Sequence, residues 1–145
     1  MSYQLRPMTL ADHSALLSLM EQTPGVVVRD ADNLDATARY LLRNPGLSVV
    51  AEQEGHIVGC LMAGHDGRRG YLQHLLVLPA HRGQGLARQL VERVLTALAR
   101  EGIDKSHLDV LVDNHGAIAF WQHLGWQQRD DLLRYSFIRS GNPQA

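Results

Sequence analysis

The chain has 145 residues, of which 45% are hydrophobic and 20% charged, and we expect residues 1–145 to form a single globular domain. Its 14 basic and 15 acidic residues give a net charge of -1, so overall charge favours neither nucleic acid nor an anionic membrane as partner. Cys60 is the only cysteine, which excludes an internal disulfide, and no basic and apolar leader is visible, so we expect a cytoplasmic protein. The eight histidines lack the spacing of paired ligands, and we expect no metal site.

The first half of the chain predicts a short strand, two helices and a strand hairpin. Thr9 and Asp12 have the spacing of a capping box, which predicts a helix start. Asp32 or Asn33 can cap a second helix. A tight Glu-Gly turn at residues 54–55 separates two apolar, β-branched segments. These features predict strands at residues 3–6, 47–53 and 56–65, and helices at residues 9–22 and 33–43.

The second half predicts a strand that feeds a long helix, followed by shorter elements. Leucine and valine recur at four-residue spacing after Gly85, as on the buried face of a helix. The predicted strands are 71–78, 107–112, 126–129 and 132–138, and the predicted helices are 85–101 and 114–124. This succession predicts an α/β fold with helices on both faces of one mixed sheet. The apolar last strand leaves room for a homodimer.

The most informative segment joins the 71–78 strand to the long helix and reads Val-Leu-Pro-Ala-His-Arg-Gly-Gln-Gly-Leu-Ala-Arg at residues 77–88. A helix start leaves its first N–H groups unpaired and carries about half a positive charge, so its backbone can hold a phosphate. Gly83 and Gly85 lack a Cβ, which lets a ligand approach the main chain and allows a positive φ. Arg82 adds a forked cation. The segment predicts an anion site.

Two well-known phosphate loops do not fit this segment. A Walker loop needs Gly-Lys-Ser/Thr, and the only lysine in the chain is Lys105. A dinucleotide-binding fingerprint needs a third small residue where Arg88 stands, and an acidic residue about 20 positions later in a second parallel strand. An ordinary strand, turn and helix without a ligand remains an alternative.

A third pattern fits better. Residues 82–87, Arg-x-x-Gly-x-Ala, closely resemble the signature of the GNAT superfamily of N-acetyltransferases, in which this turn holds the pyrophosphate of acetyl-coenzyme A. Residues 114–126, Asn-x-x-Ala-x-x-Phe-Trp-x-x-x-Gly-Trp, are similar to the closing helix of that family. Residues 63–70 also resemble a subgroup of small bacterial members. Two motifs in the right order and spacing are far more specific than one.

The resemblance implies a GNAT fold, whose mostly antiparallel mixed sheet splays between its fourth and fifth strands. It also implies that acetyl-coenzyme A is the co-substrate, with its pantetheine arm in the splay and a backbone N–H near Leu76 or Val77 as the oxyanion donor. The residues that the resemblance assigns to this ligand are Leu75, Leu76 and Val77 on the strand, Arg82, Gly83, Gln84, Gly85, Leu86, Ala87 and Arg88 at the turn, and Asn114 and Trp121 on the closing helix.

The implied reaction is direct attack of a primary amine on the thioester, for which positioning and oxyanion stabilisation supply most of the rate. Asp109 occupies a position where relatives place a glutamate base, and half-burial would raise its pKa toward usefulness; a solvated carboxylate is the alternative. Tyr71 and Gln73 alternate in step with Leu75, so we expect them on the substrate side as orienting groups or water ligands. His74 has the opposite parity, which favours a packed or solvent-bridged histidine over a catalytic base.

Trp121 stands where the family places a tyrosine, and an indole N–H cannot protonate a thiolate. This departure motivates an alternative function, a non-catalytic acyl-coenzyme A binding or regulatory module on the same scaffold. Val28, Arg29 and Asp30 are the candidate substrate-binding residues, in a loop that can form a pocket wall or can simply be solvated. Arg29 suits an amine with its own carboxylate, whereas Asp30 and Asp32 suit a polyamine. The acceptor is a small-molecule amine or an amine of a protein or peptide.

Overall fold

The structure is a computed structural model that describes residues 2–145. The chain forms two compact units, one up to Leu108 and one from Asp109 to Ala145. Among the described residues, no helix is both long enough and apolar enough to cross a membrane. The first unit contains β1 (Gln4–Pro7), α1 (His13–Glu21), α2 (Leu34–Arg43), β2 (Val49–Gln53), β3 (His56–His65), β4 (Gly70–Val77), α3 (Leu86–Arg100) and β5 (Ser106–His107).

The five strands form one sheet in the order β1-β2-β3-β4-β5, and only the β4 and β5 pair is parallel. One face packs against α1 through a core of apolar side chains, which are Met8, Leu16, Leu19, Met20, Val50, Cys60, Met62 and Leu76. On the other face α3 buries Leu86, Leu90, Val91, Val94 and Leu98. A Cβ placed on Gly59 would lie 3.4 Å from Leu86 and 3.5 Å from Leu90, so this glycine lets α3 approach the sheet closely. The expected α/β fold, with helices on both faces of a mostly antiparallel mixed sheet, is confirmed.

The first two helices begin at the predicted caps. The backbone N–H of Thr9 donates to Asp12 at 2.8 Å, and a 3₁₀ turn at Leu10–Asp12 precedes α1. The Asn33 side chain accepts from the backbone N–H of Ala36 at 2.8 Å and caps α2. Both boundaries agree with the sequence because capping depends on residues only three positions apart.

A β-bulge interrupts the pairing of β3 with β4. Cys60 lies opposite Leu76 whereas Met62 lies opposite Gln73, so β4 carries one extra residue there. His74 has φ +53°, in the left-handed region that a residue with a Cβ seldom adopts. The extra residue reverses the alternation of side chains. Gln73 therefore shares a face with Leu76 rather than with Leu75, which corrects the expected parity.

β5 is much shorter than the predicted strand at residues 107–112. Its ladder with β4 contains two pairs, Gly70 with Ser106 and Tyr71 with His107. A strand exists only where a partner completes its hydrogen bonds, so apolar alternation alone overestimates its length. The early end of this ladder is what a splay between the fourth and fifth strands predicts.

The second unit contains one regular element, α4 (His115–His123), which Asn114 caps by accepting from the backbone N–H of Ala117 at 3.1 Å. The closing strands expected at residues 126–129 and 132–138 are wrong, because both segments are irregular. Leu133 is 81% exposed and Phe137 is 88% exposed. The alternating pattern predicted strands, but these segments pair with no strand among the described residues.

Candidate active site

The glycine turn lies between β4 and α3. A 3₁₀ turn at Pro79–His81 follows β4, and Gly83 and Gly85 then take φ values of +76° and +78°. Both glycines are exposed, and a Cβ added to either would meet no atom within 4 Å. The glycines are therefore required by the backbone conformation and not by crowding within the protein, and the space beside them is open to a ligand.

The start of α3 carries a row of unpaired donors. The first helical hydrogen bond runs from the N–H of Gln89 to the carbonyl of Gly85 at 3.1 Å. Among the described residues, the backbone N–H groups of residues 83–88 have no recorded hydrogen-bond acceptor, and no side chain caps the helix. Because α3 is 15 residues long, its dipole adds partial positive charge at the same place. This arrangement suits a phosphate or pyrophosphate.

Side chains from both sides brace the turn. The Nε–H of Arg82 donates to the carbonyl of Val77 at 3.0 Å, so the arginine closes the turn on the end of β4. The Tyr3 hydroxyl donates to Oε1 of Gln84 at 2.9 Å and lies 3.0 Å from Nδ1 of His81. No local pattern indicates this role for Tyr3, because it is 81 positions from Gln84 in the chain. These contacts fix the turn and leave the terminal amino groups of Arg82 available to an anion.

A side-chain contact between His74 and Asp32 holds the bulge of β4. Nε2 of His74 lies 2.8 Å from Oδ1 of Asp32, whose other oxygen accepts from the backbone N–H of Arg29 at 2.8 Å. Asp32 is 9% exposed. Its carboxylate is therefore used within the protein, which argues against the polyamine-binding role that the sequence left open for it.

Tyr71 and Gln73 lie on the α2 side of β4. Tyr71 lines a cavity of about 410 Å³ together with Tyr40 of α2. Burial raises the pKa of Tyr40, and the neighbouring Gln73 side chain acts in the opposite direction. The two expected orienting groups thus share a face with Tyr40, which sequence reasoning missed. No local pattern brings residue 40 to residue 73, since their proximity depends on how α2 packs on the sheet.

The candidate substrate loop is largely solvated. Val28, Arg29 and Asp30 are all exposed, and a 3₁₀ turn spans Asp30–Asp32. The backbone of Arg29 is anchored to Asp32, so its side chain starts from a fixed point. The loop can present a guanidinium and a carboxylate to an incoming molecule.

The second unit holds the remaining candidates. Asp109 is half exposed and its carboxylate lies 2.6 Å from the guanidinium of Arg134. Asp109 lies beyond the end of β5 and is exposed, so it is not the strand residue that the sequence predicted. Trp121 is 9% exposed and makes edge-on contacts with Phe120 and Trp126 at centroid distances of 5.1 and 5.0 Å. The side-chain oxygen of Asn114 is occupied in capping α4, and its amide N–H groups remain as donors.

The structure also bears on Cys60 as a nucleophile and on a metal site. Cys60 is fully buried, its thiol donates to the carbonyl of His74 at 3.4 Å, and burial raises its pKa to about 12. Such a thiol is not a nucleophile at neutral pH. Within residues 2–145, no three His, Cys, Asp or Glu side chains cluster as metal ligands would.

Comparison with known proteins identifies the family. The sequence model of the acetyltransferase (GNAT) family matches residues 14–126, which include parts of both units. An acetyltransferase of Pectobacterium atrosepticum is 35% identical over 119 residues, covering 82% of this chain and 84% of the relative. An acetyltransferase of Sodalis glossinidius is 38% identical over 95 residues, covering 66% of this chain and 67% of the relative. The chain therefore belongs to the GNAT family of acetyltransferases.

Solved structures agree at the level of the fold. The PaiA N-acetyltransferase of Thermoplasma acidophilum, crystallised in complex with coenzyme A, superposes with a TM-score of 0.80 at 16% identity and covers 90% of this chain and 92% of its own. AAC(6')-Iy in complex with a bisubstrate analogue gives a TM-score of 0.75 at 22% identity and covers 95% of this chain and 99% of its own. The expected GNAT fold and enzyme class are confirmed.

Proposed function

We propose that this protein transfers the acetyl group of acetyl-coenzyme A to a primary amine by direct attack in a ternary complex. The observation that carries the proposal is the glycine turn, where N–H groups of residues 83–88 have no recorded acceptor at the start of a 15-residue helix. Membership of the GNAT acetyltransferase family supports the same ligand at the same turn.

The residues at the turn fit the co-substrate. The open space beside Gly83 and Gly85 accommodates a pyrophosphate, which the N–H groups of residues 83–88 would hold. Arg82 and Arg88 are both exposed and would add positive charge there. The backbone of Leu75, Leu76 and Val77 would bind the pantetheine arm, with Asn114 and Trp121 as further proposed contacts. When bound, acetyl-coenzyme A supplies an acetyl thioester that an amine can attack.

The protein's own groups then have three tasks. They hold the two reactants together, they donate an N–H near Leu76 or Val77 to the developing oxyanion, and they accept a proton from the ammonium. Asp109 is the proposed proton acceptor. A water held by Tyr71 and Gln73 is the alternative, which their common face with Tyr40 supports.

Direct attack is favoured over an acetyl-enzyme intermediate because of Cys60. It is the only thiol in the chain, and its burial removes it from any acyl donor. A covalent route through a cysteine would require that side chain at the surface with a lowered pKa. The environment of Cys60 has the opposite effect, since burial raises its pKa.

The test is a thiol-release assay with acetyl-coenzyme A over a panel of primary amines, with Gly85→Val as the binding-deficient control. We expect amine-dependent release of thiol in equal amounts with acetylated amine, and loss of that release in the variant. A product that forms in a first half-reaction without amine, in a stoichiometric burst, would contradict direct attack.

The second candidate, a non-catalytic acyl-coenzyme A binding module, is motivated by Trp121, whose indole cannot protonate a leaving thiolate. The same assay separates the two functions. Tight coenzyme A binding in calorimetry without turnover on any amine would favour the module. Turnover would favour the enzyme, because a coenzyme thiol with a pKa near ~8.5 can leave as thiolate and take its proton from water.

A further inference from the structure

The cavity beside Tyr71 is lined only by residues of the first unit. Its volume is about 410 Å³, within the range of small-molecule sites. It lies between the end of α2, the β3–β4 turn and the end of β5, and we call it the hairpin cavity. Its lining residues are Tyr40, Arg43, Asn44, Gly64, His65, Asp66, Arg69, Gly70, Tyr71 and His107.

The hairpin cavity is cationic. Among the described residues, Arg43 has no ion pair or hydrogen bond, and the guanidinium of Arg69 donates only to the carbonyl of Arg68. The one lining carboxylate, Asp66, accepts through Oδ1 from the backbone N–H groups of Arg68 and Arg69, both at 2.8 Å, and pairs with neither the Arg43 nor the Arg69 guanidinium. Two guanidinium groups are thus left without a carboxylate partner at one small cavity.

The nearby carboxylate of Glu101 does not pair with these arginines. Nδ1 of His65 accepts from the backbone N–H of Gly67 at 2.9 Å, and its Nε2 lies 2.9 Å from a carboxylate oxygen of Glu101. Glu101 therefore contacts His65 rather than Arg43 or Arg69.

Tyr40 contributes surface to the hairpin cavity. Its hydroxyl is buried and lies beside the Gln73 side chain, and it has no hydrogen-bond partner of acceptable geometry among the described residues. A hydroxyl that water does not reach cannot donate to a ligand in an open cavity. Tyr40 therefore forms part of the wall, and the two guanidinium groups supply the polar contacts.

The cavity is connected to the proposed reaction site through β4. Tyr71 lines it, and Gln73 lies two residues further along the same strand and on the same face. Strand geometry puts Tyr71 about 10 Å from the His74 bulge along β4. A molecule anchored among the arginines can thus extend an amine toward the bulge.

We propose that the hairpin cavity binds the carboxylate of the acceptor, so that the substrate is a small amine whose carboxylate is separated from the reacting amine by several bonds, as in lysine. The proposal rests on the proposed acetyltransferase function and specifies its substrate class. Arg43 and Arg69 supply the charge, and Tyr40 and Tyr71 form part of the cavity wall. Polycationic amines are disfavoured, since both guanidinium groups repel them.

Matched substrate pairs test the inference. Lysine and 1,5-diaminopentane differ only in the carboxylate, as do 6-aminohexanoate and pentylamine. We expect wild-type kcat/KM to favour the carboxylated member of at least one pair by tenfold or more. Arg43→Gln and Arg69→Gln should each reduce that preference at least fivefold, mainly through KM. Arg39→Gln, on the same helix, and Arg68→Gln, in the same turn, should keep it, because neither residue lines the cavity.

Several results would overturn the inference. The first is a wild-type kcat/KM that is equal within both pairs or higher for the member without a carboxylate. The second is a preference for the carboxylated member that is unchanged in Arg43→Gln and Arg69→Gln. The third is a kcat/KM that is highest for a polyamine. Preference for phosphoethanolamine over carboxylated amines would show a phosphate site instead. Far-UV circular dichroism establishes that each variant is folded.

A binding experiment distinguishes failure of the proposed acetyltransferase function from failure of the proposed carboxylate site. If no amine supports thiol release, direct binding of the same pairs is measured by saturation-transfer NMR on wild-type protein and on Arg43→Gln. Carboxylate-selective binding that Arg43→Gln removes would support the cavity although the proposed reaction is wrong. Absence of such selectivity would reject both.

Discussion

Nε2 of His74 lies 2.8 Å from Oδ1 of Asp32, and these two residues join the bulge of β4 to the loop before α2. His74 has φ +53° and Asp32 is 9% exposed, so one partner is conformationally unusual and the other is a buried carboxylate. The contact ties the strand that carries the proposed oxyanion donor to the loop that carries the candidate substrate residues. It gives a first prediction about stability.

Replacing His74 by Ala should lower the free energy of unfolding by about 1–3 kcal/mol, because the buried carboxylate of Asp32 loses a hydrogen-bond partner. His74→Gly should be about 1 kcal/mol more stable than His74→Ala, because only glycine adopts a positive φ without cost. Urea denaturation of both variants measures the difference, and His56→Ala, an exposed histidine of β3, is the control. Equal stability of the Ala and Gly variants would contradict a strained bulge.

The second prediction concerns Gly85. Gly85→Val should weaken coenzyme A binding by well over tenfold, because a branched side chain enters the space proposed for the pyrophosphate and opposes φ +78°. Gly102→Val is a matched control: Gly102 has φ +83° and an equally open Cβ position, but it follows the other end of α3. Calorimetric titration should show a large loss for Gly85→Val only. Similar losses in both variants would attribute the effect to folding.

The pair formed by Arg6 and Asp12 predicts a pH dependence of stability. The guanidinium of Arg6 donates to both oxygens of Asp12 at 2.9 and 2.8 Å, and this contact holds the pKa of Asp12 below its ordinary value. A carboxyl whose pKa is lower in the folded state stabilises the protein above its unfolded pKa, about 4, and loses that contribution as pH falls through the folded pKa.

Arg6→Met should therefore destabilise the protein by about 1–3 kcal/mol at pH 7, and this difference from wild type should shrink as pH falls below about 4. Urea denaturation at pH 7, 5 and 3.5 measures it. Arg68→Met, which removes an exposed arginine of the β3–β4 turn, should change stability by less than about 0.5 kcal/mol at each pH. A constant difference for Arg6→Met across the series would show that the ion pair does not contribute as stated.

Trp121 gives the fourth prediction. Trp121→Tyr should keep coenzyme A affinity within about threefold and preserve or increase turnover, because a tyrosine restores a hydroxyl that can titrate. The measurement is kcat and Kd for the variant, with Trp126→Tyr as the control, since Trp126 packs edge-on against Trp121. Turnover that falls equally in both variants would assign Trp121 to the packing of its unit and not to the reaction.

The features that could be predicted from the sequence are those that depend on residues close together in the chain. The caps of α1 and α2 depend on residues three positions apart, and the glycine turn depends on φ values that only glycine adopts readily. These elements lie close to where the sequence predicts them. The family motif lies within the same short segment. The cofactor turn was therefore the part of the site that could be predicted best from the sequence.

The remainder depends on distant partners. His74 and Asp32 are 42 residues apart. The single-residue bulge at His74 reverses the face of Gln73. Alternation assumes an uninterrupted ladder, so it could not foresee that reversal. Tyr40 likewise becomes a neighbour of Gln73 only after α2 packs on the sheet. The strands expected near the end of the chain failed because a strand needs a partner, which an apolar pattern does not specify.

The last prediction concerns Asp109, whose carboxylate lies 2.6 Å from the guanidinium of Arg134. If Asp109 accepts the amine proton, directly or through one water, Asp109→Asn should lower kcat/KM by about a hundredfold or more, with coenzyme A affinity nearly unchanged. The acidic limb of the pH–rate profile should vanish with it.

Arg134→Gln separates catalysis from the ion pair. Both substitutions break the same contact, but Arg134→Gln retains the carboxylate and should preserve the acidic limb, with a change in kcat/KM of less than about tenfold. If Asp109→Asn and Arg134→Gln have the same small effect, the pair is a surface contact of the second unit, and exposed pairs of this kind contribute about 0–1 kcal/mol. The proton would then leave through water held by Tyr71 and Gln73, and positioning of the two reactants would supply most of the rate.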